Sequence, residues 1–358
     1  MSETVRVGVI GTGWYADWMH LPNLKSHPKA EVVALCGRNP ERAAETARKY
    51  AIPQVFSDYR EMIEKAGLHA LVVAAPDDMH YPITMDALDA GLHVLCEKPL
   101  ARTAAQAREM AEKAAAKGVK NMVFFTLRWM PAHRYLRELI EAGYIGRCYH
   151  CHIRHYMSYG RSGGYGWRFD PQRGHGALGD LGSHAIDLAR WYVGDIIGVS
   201  AQLDNFVERR DASGNRVEAA CDAALLSVRF ADGAQGTLHA SVVAHTGERM
   251  IQQQIALYGE GGTLEADHSL LRMEVRGVRQ GETSFQGLPV PDRFWGDADR
   301  NDPFSVLTRL SVGDRQFIEA ILEDRPIAPD FRDGWKVQQI MEAAEESAPS
   351  GDWVSLEV

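Results

Sequence analysis

Gly11-Thr12-Gly13-Trp14-Tyr15-Ala16 follows an apolar run, Val5 to Ile10, and opens a helical region. This is a G-x-G-x-x-A pattern, in which glycines allow a tight turn and let backbone amides approach a pyrophosphate at a helix N-terminus. Such a pattern means dinucleotide binding only inside a βαβ unit, and the chain supplies one. Short apolar runs at Val5 to Ile10, Glu31 to Cys36, Ala70 to Ala75, His93 to Cys96 and Asn121 to Phe125 alternate with Ala-, Glu-, Lys- and Arg-rich segments such as Pro40 to Tyr50 and Thr103 to Lys117. The rhythm predicts a doubly wound parallel sheet covered by helices on both faces, an α/β Rossmann domain over residues 1–125. Gly11, Thr12, Gly13, Trp14 and Tyr15 are its first cofactor-binding candidates.

From about Arg147 long alternating stretches take over: Arg147 to Tyr156, Ala223 to Phe230, Gly236 to Val243 and Ile251 to Tyr258, with turns at Ala231-Asp232-Gly233 and Gly259-Glu260-Gly261-Gly262. Alternation marks half-buried strands, so a large, open, mostly antiparallel sheet is expected. Helices are expected over Val312 to Leu322 and Gly334 to Glu346, which makes residues 126–358 an α+β domain.

Lys and Arg number 39 against 48 Asp and Glu, a net charge of -9 that argues against a broad nucleic-acid surface. No stretch reaches the roughly 18 apolar residues of a membrane span. Met1-Ser2-Glu3-Thr4-Val5-Arg6 runs into the first strand without a basic leader or cleavage site, so the expected compartment is the cytoplasm. The cysteines, Cys36, Cys96, Cys148, Cys151 and Cys221, are too scattered for a disulfide scaffold. Cys148-Tyr149-His150-Cys151-His152 looks like half a zinc site, but no matching pair follows, and strand alternation would turn Cys148 and Cys151 to opposite faces; no metal is expected.

Open α/β sheets bind ligands beyond the carboxyl ends of their strands. After the second strand comes Leu35-Cys36-Gly37-Arg38-Asn39, with no acid to hold the adenosine ribose hydroxyls. Gly37 leaves room for a 2′-phosphate and Arg38 can pair with it or stack on adenine, which favours NADP(H) while leaving NAD(H) open. In Ala74-Ala75-Pro76-Asp77-Asp78-Met79-His80, the Ala75 and Pro76 backbone is expected at the cofactor ribose, and His80 reads equally as a contact or a core histidine. Glu97-Lys98-Pro99 sets a lysine, held by the following proline, at the same rim.

A helix from about Asp180 would put Asp180, His184 and Asp187 on one polar stripe, with Leu181, Ala185, Leu188 and Tyr192 packing beside it. Asp180 alone also reads as an N-cap. A carboxylate one turn from an imidazole nevertheless suits proton transfer.

Gly11 to Ala16, Glu97-Lys98-Pro99 and Asp180-x-Gly182-x-His184-x-x-Asp187, in this order and spacing, resemble the Gfo/Idh/MocA oxidoreductases, and the similarity extends to Asp314 to Ile321. The resemblance implies an NAD(P)-dependent enzyme interconverting a secondary hydroxyl and a ketone on a sugar, sugar derivative or cyclitol. It implies that Lys98 hydrogen-bonds the reacting oxygen, His184 exchanges its proton, and Asp180 orients or holds the substrate. The chemistry agrees, since hydride loss from a carbinol needs a base for the hydroxyl proton and a cation at the oxygen. A desolvated Lys98 would serve as the base instead, a division left open.

By the same resemblance, Glu97 and Trp167-Arg168 join the cofactor site, and the second domain forms a homodimer or homotetramer interface. Arg128 and Trp129 follow the last Rossmann strand where the family more often has an asparagine or tyrosine with an arginine, and Thr126 marks the departure. His155 and Tyr156 are candidate pocket residues, with packing the alternative for each. A site offering Lys98, Arg128, Asp180, His184 and Asp187, with Trp167 to cover C–H faces, suits a polyol. Two other classes share the fold, a glycosidase working by transient oxidation and a non-catalytic nucleotide-sensing regulator. Retention of Lys98, Asp180 and His184 speaks against the regulator.

Overall fold

The computed structural model describes residues 4–269 and 272–357; Met1 to Glu3, which the sequence reading runs into the first strand, lie outside the described residues. The chain forms two compact units, one reaching to Thr126 and including Phe304–Lys336, the other comprising Leu127–Pro303 and the residues from Val337 on.

In the first unit β1 (Val5–Ile10), β2 (Ala30–Cys36), β3 (Gln54–Phe56), β4 (Ala70–Val73), β5 (His93–Cys96) and β6 (Asn121–Val123) make a parallel sheet in the order β3-β2-β1-β4-β5-β6. β1, β4 and β5 are buried almost throughout, as a sheet covered on both faces requires. The strand order reverses between β1 and β4, which puts the ligand crevice at their carboxyl ends. Local signals fix the helices. Asn39 accepts from the Arg42 amide at 3.0 Å to start Pro40–Tyr50, and Thr103 likewise caps Ala104–Lys117.

The expected ranges, 1–125 and 126–358, differ from these units at Thr126, which belongs to the first, and in one long segment. Residues 304–336 return to the first unit. There the helix Asp314–Glu323 packs on β1 and β5. The Val123 amide donates to the Pro329 carbonyl at 3.1 Å and the Phe331 amide to Asn121 Oδ1 at 2.8 Å, so the returning chain covers the open edge of β6.

In the second unit β7 (Cys148–Met157), β8 (Ile196–Asp204), β9 (Ala223–Phe230), β10 (Gln235–Ser241), β11 (Ile251–Gly259), β12 (Gly262–Ser269), β13 (Met273–Arg279), β14 (Gln286–Gly287) and β15 (Val354–Ser355) form one sheet, ordered β14-β13-β12-β11-β7-β10-β9-β8-β15. Only β7 and β10 run parallel among the described pairs. The helices Pro131–Glu141 and Ser183–Tyr192 cover one face. Along β7, Cys151, Ile153 and His155 lie buried beneath them, while Arg154 and the half-buried His152 and Tyr156 take the other face. A bulge sets Tyr258 opposite His150 but Gly259 opposite Cys148, which breaks the alternation expected to part Cys148 from Cys151; both are buried. Burial pushes the Cys148 thiol up to about 11. Among the described residues no helix is long and apolar enough to cross a membrane.

Candidate active site

Gly11 adopts φ +118°, and a Cβ there would strike the Ala74 carbonyl, so the turn demands glycine. At Gly13 a Cβ would meet nothing within 4 Å. No packing calls for glycine at that point, and a bare backbone is what close approach of a phosphate requires. The helix starts immediately, with the Asp17 amide donating to the Gly13 carbonyl at 3.2 Å, and passes through a π turn at Ala16–His20 into Leu21–Lys25. The loop therefore fits a dinucleotide pyrophosphate, which the amides of Thr12 to Tyr15 would hold. Trp14 is 58% exposed and stacks on Trp18, ring centroids 5.6 Å apart. The Tyr15 hydroxyl lies 2.7 Å from Thr126 Oγ1, which gives the unusual threonine a partner within the cofactor unit.

Gly37 is small for a different reason from the one its sequence context suggests. A Cβ would come within 2.6 Å of Thr12 Cγ2, so the space is filled by the glycine loop's own threonine. Arg38 is exposed just beyond β2. Ala75 and Pro76 follow β4 at the switch point, Pro76 leading into the helix Asp77–Asp89. His80 resolves as a core histidine: it is fully buried, with Nδ1 2.8 Å from the Pro99 carbonyl and Nε2 2.9 Å from the Ala75 carbonyl. Burial works against its charge, but Cys96 and the two carbonyls hold its pKa up at about 9. Glu97 likewise turns inward, its Oε1 2.9 Å from His20 Nε2. Lys98, between them, is half-buried.

In the second unit Asp180 lies within a π turn, Leu178–Gly182, that leads into the helix Ser183–Tyr192. It caps neither. Its Oδ2 accepts the Tyr159 hydroxyl at 2.6 Å, and its Oδ1 faces Arg168 Nε at 3.7 Å, with the Arg168 guanidinium stacked over Trp167. Desolvation, reinforced by the Asp180 charge, raises the Tyr159 hydroxyl well above its ordinary pKa, so it stays a donor. Tyr159 was not anticipated; its one signal is an aromatic in the glycine-rich run just before Trp167-Arg168. That run is anchored by the buried Arg209, which donates to the Gly164 and Gly160 carbonyls, stacks on Phe169 and pairs with Asp222.

Beyond the partly exposed Asp180 the polar stripe is buried rather than solvated. His184 is 8% exposed and Asp187 1%. Arg128 and Asp187, expected at the substrate, are directed at each other: Nε to Oδ2 at 2.8 Å and NH2 to Oδ1 at 2.6 Å, a bidentate pair beside Trp191. His155 is buried with its ring 5.9 Å from that of His184. Tyr156 points to the opposite face of the sheet, where its hydroxyl is 2.7 Å from His239 Nδ1, because adjacent strand residues alternate. Behind this group His133 bridges the Tyr192 hydroxyl at 2.9 Å and His268 at 3.3 Å.

Comparison with known proteins identifies the family and the fold. Residues 5–125 match the oxidoreductase family with an NAD-binding Rossmann fold, and residues 133–265 match the GFO/IDH/MocA C-terminal domain. Levoglucosan dehydrogenase of Pseudarthrobacter phenanthrenivorans is 30% identical, the alignment covering 99% of this chain and 98% of that protein. D-glucoside 3-dehydrogenase of Escherichia coli is 27% identical, with 99% and 98% covered. A solved structure of levoglucosan dehydrogenase in complex with NADH and levoglucosan superposes with a TM-score of 0.90 at 28% identity, over 99% of this chain and 100% of that one. The expected parallel-sheet domain followed by a large, mostly antiparallel sheet is the architecture found, and the chain belongs to the Gfo/Idh/MocA family of oxidoreductases.

Proposed function

We propose that this chain is an NADP(H)-favouring dehydrogenase that interconverts a secondary ring hydroxyl and a ketone on a sugar of the glucoside or anhydrosugar class. The observation that carries the reading is the donor set on Asp180, where Tyr159 and Arg168 orient one carboxylate a turn away from His184. Relatives named for levoglucosan and D-glucoside support a pyranose ring over a cyclitol.

The dinucleotide, when bound, supplies the hydride acceptor. His184 takes the hydroxyl proton as the C–H bond breaks. The Lys98 ammonium donates to the same oxygen and offsets the charge developing there. Asp180 accepts from a neighbouring hydroxyl and fixes the ring, while Trp167 covers a C–H face. Arg38, exposed beyond β2, would pair with an adenosine 2′-phosphate. Outside the site, the uncovered face of the second sheet, with a depression lined by His152, Arg154, Gln254, Asp267 and Arg276, pairs with a second copy in a homodimer or homotetramer. The free thiols of all five cysteines accord with a cytoplasmic enzyme.

Reduced-nicotinamide absorbance, followed with NADP⁺ or NAD⁺ over a panel of glucosides, anhydrosugars and inositols, tests the reading. Turnover should appear with a pyranoside, with NADP⁺ preferred about tenfold or more in kcat/KM, worth roughly 1.4 kcal/mol. Equal use of NAD⁺ removes the NADP preference. Lys98→Met and His184→Ala should each cut kcat by about a hundredfold or more while cofactor still binds; full turnover in both overturns the assignment. A mass measurement in solution that finds only monomer refutes the pairing of the sheet face.

A further inference from the structure

Glu97-Lys98-Pro99 is gripped on both sides by fully buried histidines. On one side His20, at the end of the π turn after the glycine loop, lies between two carboxylates: Nε2 is 2.9 Å from Glu97 Oε1 and Nδ1 is 2.9 Å from Asp314 Oδ1. Two carboxylate acceptors need two N–H donors, so the ring carries both protons. Burial opposes that charge, but Asp314 and Glu97 together hold the pKa at about 10. Asn23 Nδ2 donates to the other oxygen of Asp314 at 3.3 Å, and the His20 ring packs on Phe124 with centroids 4.5 Å apart. The second oxygen of Glu97 accepts the Lys98 amide at 3.2 Å. On the other side His80 takes the Pro99 carbonyl at 2.8 Å.

Asp314 comes from the first turn of the returning helix, far along the chain, and is wholly buried. A buried chain of alternating charges is costly to assemble and rigid once satisfied. Its end point is the backbone of one residue, Lys98.

We propose that His20 and Asp314 are positioning residues for Lys98: they lock the Glu97 carboxylate so that it holds the Lys98 amide, and thereby aim the lysine side chain. The proposal rests on the reading of Lys98 as the group that donates to the reacting oxygen. Neither His20 nor Asp314 touches the substrate; each acts through Glu97.

The test compares His20→Gln, whose single amide donor group replaces a two-sided cation, and Asp314→Asn, which keeps volume and an acceptor but loses charge, each alone and combined with Lys98→Met. Both single variants should lower kcat by about ten- to a hundredfold, the effect of a misplacement of about 1 Å. The sugar KM should stay within about threefold, and NADPH affinity, read by fluorescence titration, within about twofold. In the Lys98→Met background the same substitutions should cost almost nothing further, because the group they aim is gone. A merely structural role would lower activity equally in both backgrounds and weaken cofactor binding. Wild-type kcat in His20→Gln and Asp314→Asn, with Lys98→Met inactive, overturns the positioning role alone. Full turnover in Lys98→Met overturns the reading of Lys98 and this proposal with it. If His20→Gln fails to fold, Asp314→Asn decides by the same two comparisons.

Discussion

Removing either member of the Arg128–Asp187 pair should destabilise the second unit more than removing both. The two side chains are 8% and 1% exposed and share two hydrogen bonds, at 2.6 and 2.8 Å. In Asp187→Leu the guanidinium stays buried without its counter-charge, which costs about 3–5 kcal/mol. At about 2–4 °C per kcal/mol for a domain of 150–250 residues, the unfolding midpoint should fall by roughly 6–20 °C. Arg128→Met should cost a similar amount. The double variant, with a buried apolar pair of similar volume, should recover most of it. Calorimetry gives the midpoints, and hydrogen exchange in peptides from Ser183–Tyr192 gives the opening free energy of the helix itself. A single-variant cost under about 1 kcal/mol, or a double variant as damaged as the sum of the singles, would refute the reasoning. Turnover separates packing from chemistry. A stable but inactive double variant would return Arg128 and Asp187 to the substrate, whereas retained kcat in it would confine their charges to each other.

Stability should fall off on both sides of neutrality, from different units. His20 and His80, raised to about 10 and about 9, contribute stability that is complete below the unfolded value of about 6.5 and lost as pH rises through 9 to 10, loosening the first unit. His268, depressed to about 4 by burial, and His133, pushed well below its ordinary value by burial and the neighbouring His268, contribute stability that is complete above about 6.5 and lost as pH falls, loosening the second. Limited proteolysis across pH 4–10 should release first-unit peptides at the alkaline end and second-unit peptides at the acid end; the same peptides at both ends would contradict this. Tyr159→Phe removes a charge-assisted hydrogen bond worth about 1.5–3 kcal/mol. It should lower kcat/KM for the sugar by about tenfold or more at unchanged cofactor affinity, and an unchanged kcat/KM would show that Asp180 keeps its place without Tyr159.

What could be read from the chain was whatever a short window encodes. Pro40–Tyr50 has its own Asn39 cap and amphipathic pattern, and Ala223–Phe230 its own alternation, so both emerge with the expected bounds. β3 has only three residues, and β12 puts His268 on its buried phase, which blurs the apolar rhythm. At the site, the glycine loop, the lysine tripeptide and the Asp180-to-Asp187 spacing are local and legible. What each side chain faces is not. Gly37 is small because of Thr12, Glu97 serves His20, and Arg128 answers Asp187, all across separations no periodicity spans. The π turn at Leu178–Gly182 also breaks the 3.6-residue stepping on which the polar-stripe argument relied.

The return of residues 304–336 to the first unit makes the nine-stranded sheet, in effect, part of a very long insertion within the first unit. During synthesis the parallel sheet is complete once β6 has emerged, yet its last edge stays bare and His20 lacks one of its two counter-charges until Asp314 arrives. At about 5–20 residues per second, that interval lasts roughly 10–40 s, during which the half-finished domain offers an unpaired strand to its surroundings. A ribosome making this enzyme therefore finishes its first domain almost last.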